Sequence, residues 1–182
     1  MQPTFTLCVV ITDTSLLINL AHTGHLPLLG QTPPYRFVVP EEVIKEVTDD
    51  SQRNALETAL EGGILERVTI ETTAELELYG ELLQILGSGE SACLALAAAR
   101  GWIVACDEKR VFLREARERL GDGRLLNTVG LYVTWVRSQL LTVAEADDAK
   151  RILEARRFKM SFTSFADIVS LRANMSETLL VA

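Results

Sequence analysis

The chain has 182 residues, 48% of them hydrophobic and 24% charged, with a net charge of −7, a size that suits one domain with a short appendage. No run approaches the roughly 20 consecutive apolar residues of a membrane-spanning helix. The opening Met1-Gln2-Pro3-Thr4 also lacks the basic start of a secretory leader, so a cytoplasmic protein without membrane attachment is expected. The acidic balance excludes a passive nucleic-acid binder with a broadly basic surface; a nucleic-acid ligand would require bound cations and locally clustered Arg and Lys.

In chain order, the apolar run Leu7-Cys8-Val9-Val10-Ile11 predicts a strand buried on both faces. A helix capped by Thr14 or Ser15 carries Leu16, Leu17 and Leu20 and ends near Gly24. Phe37-Val38-Val39 predicts a second strand, and Pro40 opens a short helix reaching about Val47. A helix from about Ser51 to Leu60 stops at Gly62-Gly63, and Ile64 to Ile70 reads as a third strand. Thr73 to Leu86 is expected to be helical, with Leu76, Leu82, Leu83 and Leu86 on its apolar face. After Gly87-Ser88-Gly89 comes an alanine-rich helix, Glu90 to Arg100. The strand Trp102 to Cys106 follows, then a helix with Val111, Phe112, Ala116 and Leu120 ending at Gly121. Leu125-Leu126 is a brief strand and Thr128 to Leu140 a helix. Thr142-x-x-Glu145 is a capping box for a helix to about Arg157, and Ser161 to Asn174 is a last amphipathic helix.

Strands separated by helices imply an α/β/α sandwich around a parallel sheet of about five strands. Residues 1–141 are expected to form the main domain, and 142–182 a helical extension packed on it or on a partner. Cys8, Cys93 and Cys106 lie in apolar segments without metal-ligand spacing and read as reduced core thiols. His22 and His25, the only histidines, read as surface groups near a turn. Trp135 and Tyr132 read as core or dimer contacts.

Carboxylates fall where such a sheet binds ligands, at the carboxyl ends of its strands. Asp13 ends the first strand and Asp107 the Trp102–Cys106 strand, and burying either inside the core would be costly, so both should face a cleft. Glu90 heads the alanine-rich helix, where it serves either the helix dipole or the same cleft. Glu42 and Glu46 share a face of the Pro40 helix. Converging acids repel one another; Mg²⁺ or Mn²⁺, which prefer oxygen ligands, would relieve that repulsion and activate water for an in-line displacement at phosphate.

The string Val10-Ile11-Thr12-Asp13-Thr14-Ser15-Leu16-Leu17-Ile18-Asn19 resembles the opening motif of PIN domains, and Pro40-Glu41-Glu42-Val43-Ile44-Lys45-Glu46 is similar to their second, which favours Glu46 over Glu42. Gly89-Glu90-Ser91-Ala92 resembles the Gly-Glu-x-Ala helix of one subgroup, and Asp107-Glu108-Lys109-Arg110 its acidic turn. Asn127-Thr128-Val129-Gly130-Leu131 resembles its closing motif, with Asn127 in place of a glycine. The matches keep their order over residues 7 to 140. The resemblance implies a PIN-like sandwich and a divalent-metal endoribonuclease that leaves a 5′-phosphate and a 3′-hydroxyl. Its catalytic acids would be Asp13, Glu46, Glu90 and Asp107, with Asp13, Glu90 and Asp107 on Mg²⁺ or Mn²⁺. No further acid stands in the closing motif, which points to one ion and not two. Ser15, Thr128, Asn127 and Arg110 would support the site or touch substrate. Ser15 and Thr128 read equally as helix N-caps. Arg110 and Arg114 would contact phosphate, or pair with Glu108 and Glu118. Many relatives resemble the VapC toxins of toxin–antitoxin pairs, often dimeric and blocked by an antitoxin protein.

Two other phosphate-handling classes fit poorly. A haloacid-dehalogenase phosphatase needs an acid where Ser15 stands, and a receiver domain needs an acidic pair beside the first strand. The alternative of a different kind is a catalytically inactive PIN-fold binding or scaffold module.

Overall fold

The computed structural model describes residues 8–107 and 110–173. Five strands, β1 (Cys8–Thr12), β2 (Tyr35–Pro40), β3 (Leu65–Val68), β4 (Ile103–Ala105) and β5 (Leu125–Leu126), form one sheet in the order β3-β2-β1-β4-β5. Every pairing is parallel, as the strand–helix alternation requires. The chain winds outward from β1 through β2 to β3, then returns to β4 on the other side of β1. Strand order therefore reverses between β1 and β4, the place where open α/β sheets bind ligands.

Nine helices are described: α1 (Thr14–Thr23), α2 (Glu41–Glu46), α3 (Asp50–Glu61), α4 (Thr73–Leu82), α5 (Ser88–Arg100), α6 (Val111–Leu120), α7 (Thr128–Arg137), α8 (Val143–Ala155) and α9 (Phe165–Ala173). Helix α5 packs with α2, α4 and α6 and lies against the central strands; α1 packs with α3, α7 and α8. The small side chains of Ala92, Cys93, Ala95 and Ala97 let α5 approach the sheet closely, and the whole run Ala92–Ala97 is buried. The inward runs of β1, β2 and β4 are buried with it, as expected of strands covered on both faces. Short 3-10 turns at Leu26–Gln31 and Asp122–Arg124, which the sequence pattern does not signal, complete the connections.

Some expected details change. Helix α4 ends at Leu82, and Leu76 (58% exposed) and Leu83 face away from the core. The capping box with Thr72 and the ion pair with Arg100 hold Glu75 inward, and Leu76, one residue and about 100° further round the helix, points to solvent. The last helix starts at Phe165 and not near Ser161, because Ser164 and Asp167 tie up its first turn and Asp147 of α8 accepts from the Ser164 hydroxyl and the Phe165 amide. Phe165 is buried against Tyr132, so α9 packs on α7. Leu7 and Asn174 lie outside the described residues. Both Tyr132 and Trp135 are core residues, and half-buried His25 packs on them and is not a simple surface group: its Nδ1 meets the Tyr132 hydroxyl at 2.8 Å and its ring lies edge-on against both. All three cysteines are free thiols, two of them buried.

The edges of the sheet are charged or short. Glu66 and Arg67 of β3 are exposed and pair with Arg36 and Glu41, at 3.7 Å and 3.2 Å. One ion pair lies deeper. Glu75, 3% exposed, receives Arg100 Nε at 2.6 Å while the amides of Glu71 and Thr72 donate to its other oxygen. Arg100 also donates to the Thr69 carbonyl and lies over the Trp102 ring. This cluster ties the end of β3 to α4 and to the C-terminus of α5.

The Arg100 guanidinium holds the Glu75 carboxyl down at about 2 from its ordinary 4.5. A lowered acid value stabilises the fold above about pH 4.5, and that contribution is lost as pH falls through 2. Glu75→Gln is expected to cost about 2 kcal/mol at pH 7, less than a fully buried pair because Arg100 is partly exposed. In urea titrations the gap between variant and wild type should narrow below pH 4.5.

Candidate active site

The β1–β4 switch point is built of hydrogen bonds between two acids and the helices that follow them. The Asp13 amide continues the ladder by donating to the Ala105 carbonyl at 2.9 Å, and the Cys106 amide does the same to Leu126, so Asp13 and Asp107 leave adjacent strands at one level. Asp13 then caps α1: its Oδ2 accepts from the Ser15 amide at 3.3 Å and the Ser15 hydroxyl at 2.8 Å. The same Ser15 oxygen accepts from the Asp107 amide at 3.3 Å. One hydroxyl thus bridges the ends of β1 and β4.

Asp107 sits at the N-terminus of α7. Its Oδ1 accepts from the Thr128 amide at 2.9 Å; its Oδ2 accepts from the Thr128 hydroxyl and, at 3.0 Å, from Asn19 Nδ2. The three donors fix the orientation of this carboxylate at the head of the helix. Asn127 caps α7 by accepting from the Gly130 amide at 2.7 Å. The N-caps are therefore Asp13 and Asn127; the hydroxyls of Ser15 and Thr128, two positions and one position further in, both reach the strand-end acids.

Glu46, at the end of α2, joins the other side of the site. It accepts from the Thr14 hydroxyl at 2.5 Å and from the Gly89 amide at 2.7 Å, clasping the starts of α1 and α5 together. A Cβ at Gly89 would lie 2.6 Å from a Glu46 carboxylate oxygen, which is why this position has no side chain. Glu90 is turned back on its own helix, accepting from the Gly87 amide at 2.9 Å, and is close enough to Asp13 to add to the repulsion there. Arg110, exposed at the head of α6, has the left-handed φ of 53°. Arg114 pairs with Glu115 at 2.9 Å, a neighbour that spacing arguments did not single out, and not with Glu118. Glu108 lies outside the described residues.

Asp13 is only 2% exposed, and burial pushes its carboxyl up from 3.8 against the pull of Ser15 and Thr14, with Glu90 adding repulsion. Burial likewise drives the Cys93 thiol up, helped by the charges of Asp13, Glu46 and Glu42 around it. Glu42 was the weaker of the two α2 acids in the sequence, yet its Oε2 is buried without a hydrogen-bond partner. Only the switch from solvent to core along this six-residue helix could have flagged it, and that depends on tertiary packing. Asn19 was likewise part of a motif without a role; its position six residues after Asp13, nearly two helical turns on, brings it to the same cleft.

Among the described residues no Arg or Lys pairs with Asp13, Glu42, Glu46 or Glu90. An uncompensated group of hard oxygen donors, one of them orphaned and buried, fits a divalent cation in kind. In arrangement the acids are held apart by protein donors: no three His, Cys, Asp or Glu side chains among the described residues come together closely enough to hold an ion. Mg²⁺ keeps several of its waters, so carboxylates can hold it through water without converging on it.

An α/β/α sandwich with carboxylates gathered at its switch point defines the class of fold and site. A family model described as a PIN domain matches residues 9–168, and the chain belongs to the PIN-domain family. PIN domains are generally nucleases and typically use divalent metal ions. No curated protein matches the chain. Among the described residues no helix is long and apolar enough to cross a membrane.

A raised acid value means that the folded chain binds the Asp13 proton more tightly than the unfolded one does. Stability therefore falls as pH rises from about 3.8 through the raised value. Asp13→Asn, which keeps an acceptor for Ser15, is expected to melt at a higher temperature than wild type at pH 7 in EDTA. The difference should vanish at pH 3, as followed by circular dichroism.

Proposed function

We propose that the protein is a divalent-metal-dependent endoribonuclease whose site is formed by Asp13, Glu46, Glu90 and Asp107. The observation that carries this reading is the Ser15 bridge between Asp13 and Asp107, which sets two acids from adjacent strand ends at the fold's binding edge. Asp13, Glu90 and Asp107 hold one Mg²⁺ or Mn²⁺ ion; Glu46 keeps the head of α5, and with it Glu90, against the start of α1. The ion supplies charge neutralisation at the scissile phosphate and activation of the attacking water.

The chain's own residues set the geometry. Thr128 and Asn19 hold both Asp107 oxygens, so this carboxylate meets substrate in one orientation. Ser15 holds one oxygen of Asp13, its Oδ2, through both amide and hydroxyl, and burial keeps bulk water away from that carboxylate. Hydrolysis adds the water oxygen to phosphorus and breaks the bond to the 3′ oxygen, which takes up a proton. The products are a 5′-phosphate and a 3′-hydroxyl.

A toxin role like that of the VapC group, with a homodimer and an antitoxin partner in the cytoplasm, belongs to the same reading. The exposed side chains of Leu76, Leu83 and Ile85 on and after α4 offer apolar surface for such contacts. The scaffold alternative predicts no need for acids that cost stability; the buried, unpaired Glu42 oxygen and the buried Asp13 both carry such a cost.

Mixed cellular RNA incubated with the protein and Mn²⁺ should be cleaved, and EDTA, Asp13→Asn or Asp107→Asn should each lower the rate by at least about 100-fold, the range for lost charge stabilisation in an active site. Mn²⁺ should also raise the melting temperature of the wild type and not of Asp13→Asn. A folded Asp13→Asn/Asp107→Asn double variant that still cuts would sink the proposal.

A further inference from the structure

Two cavities meet at Asp107, and the segment that follows α8 walls both of them. One, of about 280 Å³, lies between Leu113 of α6, Leu126 of β5, Val129 of α7 and Phe158, with Arg117 and Lys159 contributing charge. The other, more open and about 440 Å³, has Ser15, Asn19 and Asp107 on one side and Arg156, Arg157 and Lys159 on the other. Half-buried Phe158 borders both, between the two.

The three cations are exposed, and none forms an ion pair among the described residues, whereas Arg36, Arg67, Arg100, Arg114, Arg119 and Arg151 all have carboxylate partners. In a chain of net charge −7 they concentrate uncompensated positive charge beside the acidic site. Basic residues at a helix C-terminus complement its dipole, but that does not account for their forming the wall of a cavity that ends at Asp107. The backbone adds a second sign. Arg157 closes α8 with a left-handed φ of 70°, its amide donating to Glu154 and the amides of Arg156 and Phe158 to Leu153. Glycine is the ordinary residue at such a helix end, so a guanidinium is kept there at a conformational cost.

We infer that residues 156–159 are the substrate wall of the active site and take an unpaired stretch of the RNA there. Successive backbone phosphates lie along Arg156, Arg157 and Lys159 in the open cavity. The adjoining base leaves the strand's stack and packs on Phe158 in the apolar cavity, next to the bond held at Asp107. Alternating anionic backbone and flat apolar base match the two chambers in turn, and a duplex cannot present a base in this way without unpairing it. The inference rests on the nuclease reading above and assigns a substrate-binding role to the C-terminal extension.

Binding tests it separately from cleavage. Fluorescein-labelled A12, C12 and U12 RNAs and a 12-base-pair RNA duplex would be titrated by anisotropy against the Asp13→Asn protein with Mg²⁺, over a salt series. Arg156→Ser/Arg157→Gly/Lys159→Ser in that background is expected to lower single-strand affinity at least about 10-fold and to flatten the salt slope by about 2, the change for three lost phosphate contacts on a single strand. Its melting temperature should stay level or rise, since glycine relieves the left-handed position; a merely structural segment would instead lose stability. Leu113→Trp, which fills the apolar cavity, is expected to erase differences among the three homopolymers while leaving the salt slope unchanged. Unchanged affinity and slope in the triple variant, absence of single-strand binding, or equal binding of the duplex would each overturn the inference. If wild type cuts RNA and the triple variant binds as before, the wall fails and the nuclease reading stands. If binding depends on the wall but wild type never cuts, the nuclease reading fails and the wall stands.

Discussion

The site depends on one arrangement: a carboxylate, Asp13, buried at the end of the central strand and held by a hydroxyl that also holds the neighbouring strand's acid. Burial makes this charge expensive, and the protein offsets the cost with the α1 N-terminus, the Ser15 amide and the Ser15 hydroxyl. The same hydroxyl accepts from the Asp107 amide, and the Asp107 carboxylate in turn accepts from the Thr128 amide at the start of α7. The first turns of two helices and the ends of two strands are thus fastened at one point. On the metal-dependent reading proposed above, a cation would find donors there already oriented, and little conformational freedom would be lost on binding.

The fold was legible because its core elements are written in strong, local patterns. The β1, β2 and β4 runs are β-branched and continuous, and the glycines after α1, α3, α5 and α6 mark their ends; the parallel sheet and its layers follow from that alternation. Helix α4 misled because leucine spacing cannot say which side of a helix faces the sheet: Leu82 is buried, while Leu76 and Leu83 are exposed. The acids at strand ends were legible for a physical reason as well, since a charge after a buried run has to face a cleft.

What the sequence did not disclose is the second layer of contacts. Ser15 and Thr128 read as caps or as site groups, and only the three-dimensional placement shows Asp13 and Asn127 taking the caps and the two hydroxyls reaching acids. Glu42 and Asn19 depend on distant elements closing over them. The Arg156–Lys159 segment lies 49 residues and more beyond Asp107, and nothing in its local pattern says which cavity it borders; the packing of α8 on α1 brings it there.

The margins of the sheet limit how copies of this molecule can associate. β5 is two residues long, and β3 turns a charged pair of side chains to solvent, both already engaged with Arg36 and Glu41. Neither border offers a long, flat, uncharged row of amides and carbonyls for another chain to extend. Continuous sheets running from one protomer into the next, and the fibrils that grow by the same pairing, are disfavoured by construction. Any assembly of the protein is left to its helical faces, and a mutation that lengthened β5 would remove that safeguard without touching the acids.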